Sequence, residues 1–306
     1  MIILKKLIKI ILLIFIIALT LFILNYARIN IRYLLSKKYY REEFDVQGIK
    51  DKYVPQGLAY NEKYNVVLQT SYNKEHKVSK LFITDFSTKK LIKEINLLDD
   101  LGNENTTHVG GIASNEDKIW ITSDYKVFEY NLLEALKAEK ELKALKVQEI
   151  TLRGDFCYYE NRTLWIGDFF LKHFYPVPDN DPKLYGYNLD NSPIIDYNLP
   201  DQVFSLPKMV QGIGIVNDKV LFSESFTYLI NSKLEIYKNL NIADNTSAAY
   251  DKTNKVKTIK LPPMSEGFFI KEGRMYILFE SASDGYGGAL PKLGKIVSIN
   301  LDYLFK

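Results

Sequence analysis

Two columns of polar residues recur along this chain where chemistry could be done. The first opens a short apolar strand beside a glycine: Gln56 in Val54-Pro55-Gln56-Gly57-Leu58-Ala59, Gly110 in Val109-Gly110-Gly111-Ile112, Asp155 in Gly154-Asp155-Phe156, Gln211 in Val210-Gln211-Gly212-Ile213, and Glu266 in Ser265-Glu266-Gly267-Phe268. Two positions upstream stand Val54, His108, Arg153, Met209 and Met264. The second column closes the next apolar strand: Thr70, Ser123, Asp168, Glu224 and Glu280. Brought to one mouth, the carboxylates would repel unless a cation, Arg153 or protonation compensates. Oxygen donors at this density suit calcium better than zinc, and a transition metal using His108 is the weaker fit. The candidate metal ligands are therefore Asp168, Glu224, Glu266 and Glu280. Candidates for an axial ligand site are Gln56, His108, Arg153, Asp155, Gln211 and Glu266. If there is a reaction, Glu266 and His108 are the candidate catalytic groups, acting as base beside a metal that polarises a carbonyl. Against this stands a structural role, in which polar residues at strand ends satisfy backbone groups or face water.

These residues can meet only if the strands carrying them are arranged around a common axis. Each opening phrase is followed by a polar turn and a more hydrophobic strand, such as Val66-Val67-Leu68, Ile119-Trp120-Ile121, Leu164-Trp165-Ile166, Val220-Leu221-Phe222 and Met275-Tyr276-Ile277-Leu278. Third strands follow at Leu81-Phe82-Ile83, Val127-Phe128-Glu129-Tyr130, Leu184-Tyr185-Gly186-Tyr187, Leu234-Glu235-Ile236-Tyr237 and Lys295-Ile296-Val297-Ser298-Ile299. Fourth strands are expected at Leu91 to Ile95, Val147 to Leu152, somewhere within residues 194–206, and Val256 to Lys260. A surface helix is expected from Leu132 to Lys146, where Leu, Ala, Glu and Lys dominate. The fifth unit ends a strand short. Glu43-Phe44-Asp45-Val46-Gln47-Gly48-Ile49, ahead of unit one, alternates like a strand and can supply it. Repeats of four strands suit a five-bladed β-propeller closed by its N-terminal strand, with an open solenoid or sandwich as the alternative. The wealth of aromatic residues, 22 Tyr and 17 Phe, agrees with an all-β domain.

Residues 7–25 form a mainly apolar stretch whose one charge is Lys9, long enough as a helix to cross a bilayer. No small-residue cleavage site follows, so an uncleaved signal anchor is expected rather than a removed signal peptide. The sequence divides into a basic start at 1–6, the anchor at 7–25, a basic neck at 26–41 near anionic headgroups, and the propeller at 42–306. Lysines and arginines flank the anchor on both sides and do not fix its orientation. By analogy with other single anchors the large domain is expected outside the cytoplasm at the cell membrane. The only cysteine, Cys157, excludes an intramolecular disulfide and a thiolate metal site, and its apolar strand suggests a buried structural residue. A net charge of +3, with lysines spread along the chain, argues against a nucleic-acid partner.

The Gln-Gly and Glu-Gly openings, as in Pro55-Gln56-Gly57-Leu58 and Ser265-Glu266-Gly267-Phe268, resemble those of β-propeller proteins, among them the gluconolactonase/strictosidine-synthase-like and plant-type glutaminyl-cyclase-like families. The resemblance covers residues 43–306 as a blade pattern. It implies an axial metal and, in some members, hydrolytic or cyclising chemistry; no complete catalytic set matches, so no catalytic role is carried over. No nucleophile elbow, phosphate loop or dinucleotide fingerprint is present. Two functions follow. One is an envelope module binding a small molecule, protein or glycan, tethered to the membrane. The other is a calcium-dependent, lactonase-like hydrolase.

Overall fold

The computed structural model describes residues 2–189, 195–240 and 248–306. An unbroken helix, α1 (Ile2–Ser36), comes first. The strand β1 (Tyr40–Asp45) follows it. Blade one contains β2 (Tyr53–Asn61), β3 (Val66–Asn73), β4 (Lys80–Asp85) and β5 (Leu91–Leu98). Blade two contains β6 (Gly111–Asn115), β7 (Lys118–Ser123) and β8 (Lys126–Asn131). The short helix α2 (Leu132–Lys137) and strand β9 (Glu141–Lys143) then precede its outer strand β10 (Lys146–Glu149). Blade three contains β11 (Phe156–Glu160), β12 (Thr163–Gly167), β13 (Lys183–Asn188) and β14 (Gln202–Ser205). Blade four contains β15 (Val210–Val216), β16 (Lys219–Glu224) and β17 (Lys233–Lys238); the short strand β18 (Ala248–Ala249), which pairs elsewhere, precedes its outer strand β19 (Lys255–Lys260). Blade five contains β20 (Ser265–Lys271), β21 (Arg274–Phe279) and β22 (Lys295–Asn300), and α3 (Leu301–Phe305) ends the chain.

The inner strands neighbour one another around the axis in the order β2, β6, β11, β15, β20 and back to β2. The ring is closed as the sequence predicts: the last blade has the order β1-β22-β21-β20. The closing strand lies slightly earlier than expected, at Tyr40–Asp45, where Tyr40 faces Ile299 and Asp45 faces Lys295. Gly48, at φ +59 and packed against the Phe82 ring, turns the chain away toward blade one instead of extending the strand.

Two expectations need correcting. The helix after blade two's third strand stops at Lys137 and does not run to Lys146. Residues Glu141–Lys143 instead pair in parallel with β5, outside blade one, and bury Leu142 and Ala144 in the core. Tertiary burial of two apolar residues outweighs the helix propensity of a Lys/Glu-rich run. Blade three gains an outer strand in the same way, β18 beside β14. Its own fourth strand falls at Gln202–Ser205, inside the expected window, although residues 190–194 lie outside the described part. Residues 241–247, in the polar run Asn241 to Asn254 between the third and fourth strands of blade four, likewise lie outside it.

The repeated glycines are explained by how closely the inner strands approach at the axis. A Cβ on Gly111 would lie 2.2 Å from Thr122 Oγ1 and 2.5 Å from the backbone nitrogen of Cys157 in the next blade. One on Gly110 would meet the carbonyl oxygen of Asp155 at 2.4 Å, and one on Gly267 the backbone nitrogen of Leu58 at 2.7 Å. The obstacles are mostly backbone, so the ring cannot yield locally. Gly111→Ala is expected to destabilise the domain by about 3 kcal/mol, an overpacking cost. Gly287→Ala, where a Cβ meets nothing within 4 Å, is expected to leave the midpoint of denaturant unfolding where it was.

Candidate functional site

The opening phrases share a second feature. The β2–β3 ladder shifts register between Pro55 and Leu58, the β15–β16 ladder between Val210 and Gly212, and the β20–β21 ladder between Ser265 and Phe268. Each bulge falls on the Gln-Gly or Glu-Gly pair, and a bulge re-aims the side chain it carries. The lead-in residues Val109, Met209 and Met264 also hold positive φ, at 48, 63 and 66. For a β-branched residue such as Val109 this is strained backbone, of the kind that the surrounding fold must enforce.

Gln56, Gln211 and Glu266 are thereby turned toward one end of the axis. There they join His108, Arg153, Asp155 and Glu280 around a cavity of about 280 Å³. All six residues expected to form the axial site line it. Of the four expected metal ligands, Glu266 and Glu280 line it. Asp168 and Glu224 do not. Asp168 accepts hydrogen bonds from the backbone nitrogens of Arg153 and Lys183, at 2.7 and 3.5 Å, and so serves as a strut for blade three. Glu224 faces Lys233 at 3.4 Å.

The centre of the mouth is a buried carboxyl pair. Glu266 and Glu280 are 3 and 7% exposed. Gln56 donates its amide to Glu280 Oε2 at 3.0 Å, and Gln211 donates to Glu266 Oε1 at 3.3 Å. Burial, with the Glu280 charge added, raises Glu266 well above the ordinary carboxyl range. Burial pushes Glu280 up to about 8, against the lowering influence of Lys74, Gln56 and Tyr286. Lys74 is not an ion-pair partner: its ammonium lies 3.4 Å from the centre of the Tyr286 ring and donates to the Gly285 carbonyl.

His108 is held by a different logic. Its Nε2 lies 2.7 Å from Gln56 Oε1, and its ring stacks on Tyr72 at 4.1 Å. Since Gln56 spends its NH₂ on Glu280, its oxygen faces the imidazole, which must donate from Nε2. Protein atoms crowd the ring and push its pKa down to about 4, although one side opens to the mouth. The result is a carboxyl–amide–imidazole chain with a neutral histidine at its end. On the far side Arg153 meets Asp155 at 2.9 Å and lies over the Tyr175 ring at 5.0 Å. Burial raises Asp155 to about 7 despite that arginine.

Four carboxyl groups (Asp124, Asp155, Glu266 and Glu280) thus face one guanidinium and a neutral imidazole. The walls between them are aromatic: Tyr72, Phe169, Tyr175, Phe226 and Tyr286. Tyr72 stands near the end of β3, and Phe226 and Tyr286 lie in the loops that follow β16 and β21. Asp124, Phe169 and Tyr175 lie in irregular segments with no repeat to align, and the sequence did not mark them. Chemically, a site of this kind favours a cation through ring faces and carboxylates together, and a carboxyl titrating near neutrality can exchange a proton with what it binds.

An axial metal is a different proposition. Calcium takes six to eight oxygen ligands. Here Gln56 and Gln211 turn amide NH₂ groups, not oxygens, toward the carboxyl pair. Among the described residues no group of three or more His, Cys, Asp or Glu is placed to hold an ion. The donor set does not fit a calcium centre. A cavity of about 410 Å³ at the opposite end of the axis has both of its lysines already paired. There Lys271 meets Glu62 at 2.8 Å, and Lys63 meets Asp117 at 2.9 Å.

Fold and site together define a five-bladed β-propeller, closed by its N-terminal strand, with an acidic and aromatic axial mouth. No protein-family model matches the sequence, and no curated protein matches it. Among solved structures the chain is similar to the glutaminyl cyclase of Myxococcus xanthus, with a TM-score of 0.51 and 9% identity over 85% of this chain and 92% of that one. It is also similar to a luciferin-regenerating enzyme, with a TM-score of 0.47 and 11% identity over 83% of this chain and 93% of that one. BamB from Moraxella catarrhalis gives a TM-score of 0.36 and 8% identity over 80% and 81% of the two chains. The likeness to the glutaminyl cyclase shows the propeller fold and nothing of its chemistry.

Proposed function

We propose that the protein is a membrane-tethered binding module whose axial mouth takes up a small molecule bearing a protonated amine. One observation carries the reading: two buried carboxyl groups stand together under aromatic walls, and among the described residues no lysine or arginine pairs with either. A buried charge without a partner is costly, so the pair holds protons until a cation displaces them. The anchor supports an envelope setting. A signal-anchor helix commonly leaves the following domain outside the cytoplasm, and a domain whose single cysteine is buried tolerates that environment.

Calorimetric titration with phenethylamine, against 2-phenylethanol as its neutral counterpart, tests the reading. The amine should bind and the alcohol should not. Binding should release a proton, seen as a buffer-dependent heat. Because proton and ammonium compete for Glu280, affinity should rise with pH, by up to about tenfold per unit, until the carboxyl's pKa near 8 is passed. Equal binding of both compounds, or of neither, would overturn the proposal. Proton release by calcium in place of the amine would return the pair to a metal-binding role.

A further inference from the structure

The helix α1 has 35 residues and is therefore about 52 Å long, whereas the hydrocarbon core of a bilayer takes about 30 Å. The surplus does not hang free. Residues 4–24 are exposed along their whole length, and contact with the propeller begins at the next residue. Asn25 donates to the carbonyl of Leu229 at 2.8 Å, Arg32 reaches Asn231 at 3.5 Å, and Ile29 is fully buried. The helix then descends the outer wall between blades four and five. It ends where Tyr33 meets Tyr40 and Tyr39 stacks on Tyr303, at 6.1 and 3.8 Å.

These two contact regions lie at opposite ends of the propeller. Leu229 and Asn231 belong to the loop joining the second and third strands of blade four. Such loops, and the lead-ins to each first strand, form the face on which the axial mouth opens. Tyr40, the start of β1, and Tyr303, beyond the end of β22, lie at the other face, since β1 and β22 run antiparallel. The helix axis is thus roughly parallel to the propeller axis, and the apolar span leaves the molecule on the mouth's side.

That face carries exposed apolar side chains where a soluble surface would not group them. Phe174, Ile230, Phe226 and Leu290 are 69, 62, 43 and 41% exposed, and the Phe174 and Phe226 rings lie 5.9 Å apart. They come from the loops of blades three, four and five, the side on which α1 emerges. Exposed Lys172 and Lys208 accompany them. Aromatic and aliphatic side chains mixed with lysines suit the headgroup layer, where rings insert and ammonium groups meet phosphates. We infer that this collar is seated on the bilayer that α1 spans, so that the axial mouth opens onto the headgroup layer and its ligand arrives along the membrane surface. The inference is independent of which side of the membrane the propeller occupies and of the amine-binding reading.

The two native tryptophans, Trp120 and Trp165, are buried in the blades, so a tryptophan added at the surface can be read by collisional quenching. The full chain carrying Phe226→Trp or Phe174→Trp is reconstituted into phosphatidylcholine vesicles containing a dibrominated phosphatidylcholine. Leu199→Trp, at a position 73% exposed on the opposite face, serves as the comparison. About half of the added emission should be quenched at 226 and 174, where bromine lies within the interfacial zone, and almost none at 199. Equal quenching at all three positions, or stronger quenching at 199, would overturn the seating. Quenching does not depend on any ligand, so this result and the phenethylamine titration can fail separately.

Discussion

A Glu280→Gln variant is expected to lose phenethylamine binding by about 100-fold or more and, at pH 8, to unfold at a higher temperature than the parent. The loss follows from removing one partner of a desolvated ammonium–carboxylate pair, which costs roughly 3–5 kcal/mol. The gain follows from linkage. Glu280 is raised from an ordinary 4.5 to about 8 in the folded protein. The folded state therefore keeps a proton that the unfolded chain gives up above about 4.5. Stability from this group is fully present below that pH, falls as pH rises, and is gone by about 8. Glutamine keeps the neutral shape at every pH, accepts the Gln56 amide through its oxygen, and offers its own NH₂ toward Glu266.

The full difference in pKa would correspond to about 5 kcal/mol, and water in the open mouth reduces the expected gain to about 1–2 kcal/mol. The measurement is a pair of melting curves at pH 5 and pH 8, set beside a binding isotherm at pH 8. The variant should differ from the parent little at pH 5 and clearly at pH 8. A variant that melts lower at both values, or that keeps its affinity, would contradict the account of the pair. Glu224→Gln separates the site from burial in general. Glu224 is also buried and raised to about 7, but it faces Lys233 outside the mouth, so its replacement should leave affinity unchanged.

The ring was legible in the sequence because it repeats. The opening phrase recurs for a physical reason, since backbones crowd at the axis around Gly57, Gly110, Gly111 and Gly267. A bulge at the same place aims the preceding residue inward, which is why the residues found by aligning glycines, Gln56, Gln211 and Glu266, meet at one mouth. Aligning the ends of second strands worked less evenly. Glu280 leaves β21 into a short 3₁₀ turn and reaches the mouth, whereas Asp168 leaves β12 and folds back onto the backbone of Arg153 and Lys183. The two share an alignment column but not a local backbone path. The cross-blade strands β9 and β18 were not legible, because each is a short segment captured by a neighbouring blade's free edge.

Cutting the closure should damage the domain more than an equal loss of core elsewhere on the surface. Phe44→Ala is expected to destabilise by about 3–5 kcal/mol, the usual range for truncating a buried phenylalanine. The ring of Phe44 is 1% exposed and lies 5.6 Å from Phe86 and 6.1 Å from Tyr276, so its loss leaves a void among rings contributed by blades one and five. The neighbouring residue binds the same blades by charge. Glu43 accepts from Ser298 Oγ at 2.6 Å on β22 and from Lys89 Nζ at 2.7 Å in blade one. Without β1, the outer face of β22 presents an unpaired strand edge, and the first and last blades lose the segment that ties them together. Deleting Tyr40–Asp45 should therefore abolish cooperative unfolding, while Phe44→Ala should lower its midpoint without changing the slope. A propeller that unfolds with the parent's midpoint after the deletion would show that the inner-strand contacts of β2 with β20 close the ring by themselves. In that case β1 would be only the lower end of the tether that brings α1 down the wall of the blade.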